Sequence, residues 1–258
     1  MSKTDAAESH STDLLTAIKA EEPPHVHERY NDRTAGFRII SSDNVAFHVR
    51  RCYVEAGSRV LGDMLHLGAQ AASPPSSDSA EITLLDDELE KADVLVILLD
   101  IWHGRPFPCP TNDGSNLLLL KRVIHLVNKY DCPAAAYTIR IALTAFLTKD
   151  GVNPLKCFVL LSALDDIAGC AAAIRRTGMW KWTSDLDTGA PSSLWRPLTG
   201  KSILNITAWD EQHFAAVPSR YILALLRATA GQTTDRDANW NSIASEFTRL
   251  MEAVPAPV

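Results

Sequence analysis

The sequence predicts an α/β chain of the α+β type, in which a small sheet is capped by short helices and followed by a helical C-terminal extension. Three observations lead to this prediction. Apolar and polar residues alternate over residues 37–49 around a central turn, as in a β-hairpin. A short strand pattern follows at residues 81–84. From about residue 89 onward, apolar residues recur mainly at helical spacing, with short turns between the segments.

Length and composition allow one or two compact domains after a polar N-terminal arm. The chain has 258 residues and is 46% apolar, enough for one core of good size or two small ones. Residues 1–34 have too little apolar area to offset the entropy of ordering, so we expect a mostly disordered arm. We expect the α/β domain over residues 35–147 and the helical extension over residues 148–258, with a tryptophan-containing loop at residues 179–201.

Charge and cysteine content argue against several classes of protein. Lys and Arg number 25 against 31 Asp and Glu, a net charge of -6, so nucleic acid is not expected as a direct partner. The five cysteines are widely spaced without a C-x-x-C pair, which indicates neither a disulfide framework nor a zinc site and fits a reducing compartment. Neither a signal peptide nor a membrane-spanning apolar run is recognisable, so we expect a cytoplasmic or nuclear protein.

The first part of the predicted domain contains strand patterns and one helical region. Phe37 and Ile39 alternate with Arg38, and Val45 begins a second alternating run after the turn residues at 42–44. Apolar residues then recur at helical spacing over residues 53–65, and the run ends near residue 68. A loop rich in Ser and Pro, residues 69–80, precedes the third strand.

Helix-start signals divide the rest of the chain into short helices. Asp87 with Glu90 has the character of a capping box, and Asp131 is placed to cap the helix that begins at a proline two residues later. Asn153 and Asp166 are placed to cap two further helices. The predicted helices cover residues 89–102, 116–128, 133–149, 153–164, 166–178, 211–229 and 238–253.

Several local sequences carry a resemblance to a known family. They are ERYND at residues 28–32, FRIISSDNVAFHV at 37–49, EAGSRVLGDML at 55–65, EITL at 81–84, WHG at 102–104 and NKYDCPA at 128–134. Together they resemble the BTB/POZ domains that are abundant in fungi, and the resemblance covers residues 28–177 and extends more loosely to residue 230. It departs from the family at Gly36 and Arg50, where Asp and His are usual.

The resemblance implies the BTB/POZ fold, with a small mixed sheet, and a non-enzymatic protein-protein interaction module that homodimerises and binds other proteins. It leaves open an adaptor that brings a target to a cullin-type ubiquitin ligase, and a scaffold or transcription-linked oligomeriser without a ligase. The hydrophobic-x-acid motif of many cullin-binding members is absent from residues 64–68. The implied dimer contacts are Tyr53, Val54, Val60, Leu61, Met64 and Leu65, and the implied docking contacts are Trp102, Tyr130 and Asp131.

Rival functions have weaker support. Asp187-Thr188-Gly189 resembles the catalytic turn of aspartic proteases, but a second such aspartate is missing, so a hydrolase using Asp187 is a less favoured alternative. GKS at residues 200–202 lacks the preceding glycine of a phosphate-binding loop, and His25 with His27 lacks a third metal ligand nearby. We therefore predict no catalytic residue, cofactor, metal or small-molecule substrate. A further alternative is a purely structural subunit of a stable complex.

Overall fold

The structure is a computed structural model, and it describes residues 22–71, 80–111, 115–178, 180–182, 200–230 and 238–253. Within these ranges the chain forms a four-stranded sheet and ten α-helices. The predicted combination of one small sheet with many short helices is therefore confirmed. Within the same ranges, no helix is both long enough and apolar enough to cross a membrane.

The sheet is mixed and is built around the predicted hairpin. Its strands are β1 (His25–Val26), β2 (Gly36–Ile40), β3 (Val45–Arg50) and β4 (Ala80–Thr83), in the spatial order β1-β3-β2-β4. β2 and β3 are antiparallel, whereas β1 runs parallel to β3 and β4 runs parallel to β2. Alternation buries Phe37, Ile39, Phe47 and Val49, so one face of the hairpin joins the core.

The structure corrects the predicted disordered arm over residues 22–34. These residues contain β1 and two short 3-10 helices, Glu28–Tyr30 and Arg33–Ala35, the second of which ends just beyond the predicted arm. Tyr30 is buried, and its hydroxyl donates a hydrogen bond of 2.6 Å to Asp100. The His27 ring stacks on Phe47 at 4.9 Å. Two side chains thus fix a segment whose composition alone is too polar to predict order, while residues 1–21 lie outside the described ranges.

The helices follow the predicted order with one difference. The helical region at 53–65, where the resemblance implies a helical pair, is two helices broken at Ser58. The predicted helix at 211–229 is instead broken at Pro218, which cannot donate a backbone hydrogen bond. The helices are α1 (Arg51–Gly57), α2 (Arg59–Ala71), α3 (Ala92–Trp102), α4 (Leu117–Lys129), α5 (Pro133–Leu147), α6 (Pro154–Ala163), α7 (Ile167–Arg176), α8 (Glu211–Ala216), α9 (Ser219–Thr229) and α10 (Trp240–Glu252).

Two of the predicted helix caps are confirmed and two are wrong. Asn153 accepts from the N–H of Leu155, and Asp166 accepts from the N–H of Gly169, as predicted. The capping box at Asp87 and Glu90 is wrong, because α3 begins only at Ala92 and its cap residue makes no side-chain bond. Asp131 does not cap α5 either, because the cap position is Cys132, and Asp131 has left-handed backbone geometry with φ 45°.

One continuous hydrophobic core runs through the described residues, from Tyr30 to Met251. α6 packs against α4 and α5, and α7 packs against α5 and α10, so the core crosses the predicted boundary at residues 147 and 148 without interruption. An aromatic cluster of Phe158, Tyr221 and Phe247 joins α6, α9 and α10, with ring centroids 6.0–6.5 Å apart. The C-terminal helices therefore share their core with the sheet domain.

Candidate protein-interaction site

The nine residues predicted to make protein contacts divide between the core and the surface. Four of them are less than 8% exposed and face inward, so the structure corrects their predicted role as direct contacts: Val54, Leu61, Leu65 and Tyr130. The other five reach the surface at least in part: Tyr53, Val60, Met64, Trp102 and Asp131. The four apolar or aromatic residues among these five, with neighbours that the sequence pattern did not single out, define two exposed surfaces, and Asp131 lies at the α4–α5 junction.

The first surface is an apolar stripe along α2. Val60, Met64 and Leu67 are 37%, 46% and 67% exposed, and their spacing of four and three residues places them on one face of the helix. We call these three residues the α2 stripe. Leu67 is absent from the sequence-based set, although the same spacing extended from Val60 and Met64 would have found it.

The position of α2 is fixed by the buried hydroxyl of Ser58. Its Oγ accepts a hydrogen bond of 3.0 Å from the N–H of Leu61, which caps the first turn of α2. The same Oγ donates a hydrogen bond of 2.6 Å to the backbone carbonyl of Tyr130. In addition, the N–H of Arg59 donates to the carbonyl of Asp131 at 3.1 Å. The carboxylate of Asp131 also pairs with the guanidinium of Arg59 at 3.1 Å. The junction between α4 and α5 therefore holds the start of α2, Tyr130 through its backbone carbonyl and Asp131 through its carbonyl and its carboxylate.

The same junction is tied to the loop before α3 by the carboxylate of Glu90. Glu90 is 3% exposed and accepts hydrogen bonds from the backbone N–H groups of Leu85 and Asp86, at 2.7 and 2.8 Å. It also accepts from the hydroxyl of Tyr130 and pairs with the ammonium group of Lys129 at 2.8 Å. Both oxygens of this buried carboxylate therefore have hydrogen-bond partners, as a buried charge requires.

The electrostatics of this junction favour the ionised forms of its acids. Burial alone would raise the pKa of Glu90, but hydrogen bonds from Lys129 and Tyr130 outweigh burial, and the pKa is lowered. Hydrogen bonding from Lys129 and from backbone N–H groups lowers the pKa of Asp86 to about 2. Both carboxylates are therefore charged at neutral pH, and they keep Lys129 in place.

The second surface is a groove of about 190 Å³ between α1, the end of α3 and the start of α5. Its walls include Tyr53, Trp102, Ala134 and Thr138. The Tyr53 ring packs against the ring of His103, with ring centroids 4.3 Å apart. We call this feature the Trp102 groove. Aromatic side chains in such a concavity are typical anchors for a bound protein segment.

The exposed face of α5 extends the Trp102 groove. Ala134, Thr138 and Ile141 are spaced by four and three residues and share one face, and Ile141 is 52% exposed. Tyr137, beside them on the same helix, is 64% exposed. The groove thus opens onto a partly apolar helix surface rather than a purely polar one.

Gly57 lets the Trp102 ring lie flat on α1. A Cβ at Gly57 would come within 2.5 Å of Cε2 of Trp102, so only glycine permits this contact. The indole Nε1 is buried there and finds no acceptor among the described residues. The ring is therefore held by packing rather than by a hydrogen bond, and its position depends on the absence of a side chain at Gly57.

We expect the same glycine-to-alanine change to have opposite effects at two neighbouring positions. Gly57→Ala should lower the free energy of unfolding by about 1–3 kcal/mol, because the new methyl group collides with Trp102. Gly62→Ala, whose Cβ would meet nothing nearer than 3.5 Å, should raise it by about 0.5–1 kcal/mol through better helix propensity. Urea unfolding followed by circular dichroism measures both. Shifts of the same sign would contradict the predicted role of Gly57.

Residues considered for catalysis or metal binding have structural roles where the structure describes them. His27 accepts a hydrogen bond from the N–H of Arg29, and Ser202 is buried in a bridge with Lys181. Burial raises the pKa of Cys132 and of Cys157 to about 12, so these thiols stay protonated. No metal-ligating cluster occurs within the described ranges. Asp187 and most of the loop at residues 179–201 lie outside them.

Comparison with protein-family models, with curated proteins and with solved structures gave no match.

Proposed function

We propose that this chain is a non-enzymatic protein-interaction module of the BTB/POZ type, which self-associates through the α2 stripe and docks a second protein in the Trp102 groove. The observation that carries the proposal is the exposure of three large apolar side chains in one row on α2. A contiguous apolar row on a surface helix favours association, because its burial removes apolar area from water. A second copy is the occupant that the resemblance implies.

The fixed orientation of α2 supports this proposal. Ser58 is buried, and both of its hydroxyl bonds are satisfied within the chain. A helix held in one orientation loses little conformational freedom when a partner docks on it, which increases the affinity available from a given contact area. The α2 stripe therefore presents a preformed surface.

Met64→Glu is expected to abolish self-association. Met64 is the central residue of the α2 stripe, and two copies of the variant would bring like charges into an apolar contact. Size-exclusion chromatography with multi-angle light scattering measures the mass in solution. The unmodified chain should elute as a dimer, with twice the 28.2 kDa mass of one chain, and the variant as a monomer.

The matched control for this experiment is Leu223→Glu. Leu223 on α9 is 47% exposed, close to the 46% of Met64, and it lies outside the α2 stripe. This control should leave the dimer intact. A monomeric unmodified chain, or a dimer that survives Met64→Glu, would contradict the proposed interface.

The identity of the second protein separates the two versions of the proposal. Affinity purification of the tagged chain from its source cells, with mass spectrometry and an untagged control, would identify that protein. A cullin among the specific partners would support the adaptor of a ubiquitin ligase. Its reproducible absence alongside other partners would support the scaffold or transcription-linked oligomeriser.

A further inference from the structure

A cleft far from the α2 stripe in sequence lies between the α5–α6 turn and the carboxyl end of α7. It has a volume of about 600 Å³ and is open to solvent rather than enclosed. Lys149, Arg176, Trp180 and Lys181 line it, together with Asp150. Because these residues come from two separate stretches of the chain, 149–152 and 176–181, the sequence pattern did not indicate the cleft. We call it the Trp180 cleft.

Positive charge exceeds negative charge along the walls of the Trp180 cleft. Asp150 is the one carboxylate among the described lining residues, and it pairs with Arg176 at 2.9 Å. Within the described part of the chain, neither Lys149 nor Lys181 has a carboxylate within ion-pair distance. The ammonium group of Lys149 lies 5.1 Å from the centre of the Phe146 ring, a contact that leaves its charge unneutralised. Both ammonium groups can therefore pair with an anionic partner, in a chain whose net charge is -6.

Helix dipoles account for only part of this positive charge. α5 ends at Leu147 and α7 ends at Arg176, and basic groups near the carboxyl end of a helix offset its partial negative charge. Lys149 and Arg176 are placed to do so. Lys181 belongs to neither helix, since it lies in a bridge with Ser202. Among the described residues, its charge therefore offsets neither helix end.

The backbone holds Trp180 and Lys181 in fixed positions beside the cationic wall. The N–H of Trp180 donates to the carbonyl of Thr177 at 3.0 Å, and the carbonyl of Trp180 accepts from Ile203 at 3.2 Å. The Trp180 side chain is half-buried and forms an apolar wall of the cleft. Tryptophan and arginine side chains dominate the energetics of many protein interfaces, and Trp180 and Arg176 both line this cleft.

We propose that the Trp180 cleft binds an acidic, Asp- or Glu-rich segment of a partner protein. Its carboxylates would pair with Lys149, Arg176 and Lys181, and its aliphatic atoms would pack on the Trp180 indole. The open form of the cleft suits an extended segment that passes through it better than an enclosed small molecule. This site is independent of the α2 stripe and of the Trp102 groove.

Fluorescence anisotropy with a fluorescein-labelled peptide of alternating Glu and Gly tests the proposal on the full chain. The unmodified chain should bind the peptide, and the affinity should fall as salt is added because exposed charges are screened. Lys181→Glu should weaken binding about tenfold, because an attraction is replaced by a repulsion. A peptide with Gln in place of Glu should not bind.

Lys91→Glu is the matched control, since Lys91 is exposed, lies outside the cleft and undergoes the same change of charge. It should leave the affinity within about twofold of the unmodified chain. An equal loss in Lys91→Glu and Lys181→Glu would overturn the proposal in favour of non-specific attraction. Absence of binding by the unmodified chain would also overturn it, and so would inorganic pyrophosphate binding the cleft more tightly than the peptide.

Discussion

Glu90→Ala is expected to lower the free energy of unfolding by about 3 kcal/mol, because it removes the contacts between the loop before α3 and the α4–α5 junction. The change leaves the N–H groups of Leu85 and Asp86 and the hydroxyl of Tyr130 without their acceptor. Urea unfolding followed by circular dichroism measures the loss. Glu88→Ala, at an exposed position in the same turn, should stay within about 0.5 kcal/mol of the unmodified chain.

The pH dependence of stability should report on the same carboxylate. The pKa of Glu90 in the folded chain lies below the ordinary value of 4.5, so the unfolded chain takes up a proton at higher pH than the folded chain does. The stabilisation from Glu90 is therefore fully present above pH 4.5 and is lost as the pH falls through the lowered pKa. Glu90→Ala should remove this part of the acid sensitivity. Identical pH profiles in both proteins would show that folding does not shift the pKa of Glu90 and would contradict this prediction.

Phe158→Ala is expected to lower the free energy of unfolding by about 3–5 kcal/mol. Phe158 is fully buried, and its ring packs against those of Tyr221 and Phe247. Because the core is continuous, the substitution should destabilise the sheet domain and the C-terminal helices together. Circular dichroism and tryptophan fluorescence should therefore give one coincident transition, shifted to lower urea concentration.

Tyr137→Ala provides the comparison for Phe158→Ala, because Tyr137 is an aromatic residue that is 64% exposed on α5. Its removal should change the free energy of unfolding by no more than about 0.5 kcal/mol. Two separate transitions in Phe158→Ala, with only the second one shifted, would mean that residues 148–258 fold as an independent unit and would contradict the single core.

Local patterns predicted the elements that depend on neighbouring residues. Alternation predicted the β2–β3 hairpin, and the Asn153 and Asp166 caps form as the spacing of acceptor and N–H groups dictates. The strand β1 was not predicted, because two residues carry no periodicity and pair only with a strand some distance along the chain. The sequence assigned Glu90 to a helix cap. In the structure Glu90 is buried and accepts from four donors. This burial arises only in the tertiary structure, so the local pattern could not predict it.

The sequence indicated which regions of the chain form the candidate site, but it did not indicate which residues in those regions are exposed. The α1–α2 region is rich in apolar residues on more than one side, so amphipathicity alone does not say which of them face the core. Packing decides that Leu61 and Leu65 turn inward while Val60 and Met64 remain exposed. Tyr130 and Asp131 were predicted as docking contacts, but in the structure they lie beside the start of α2 and hold Ser58 and Arg59. No sequence signal distinguishes support of this kind from direct contact.

The parallel pairing of β2 with β4 has a consequence for how the chain folds. Arg38 and Glu81, which face each other across these strands, are 43 residues apart, whereas the β2–β3 hairpin turns within residues 41–44. The hairpin can therefore close quickly, but β4 must first close a long loop that contains α1 and α2. Until it does, the outer edge of β2 has unpaired backbone groups, and such edges pair readily with other chains. During synthesis, the time of greatest aggregation risk thus falls between the emergence of the hairpin and the arrival of β4.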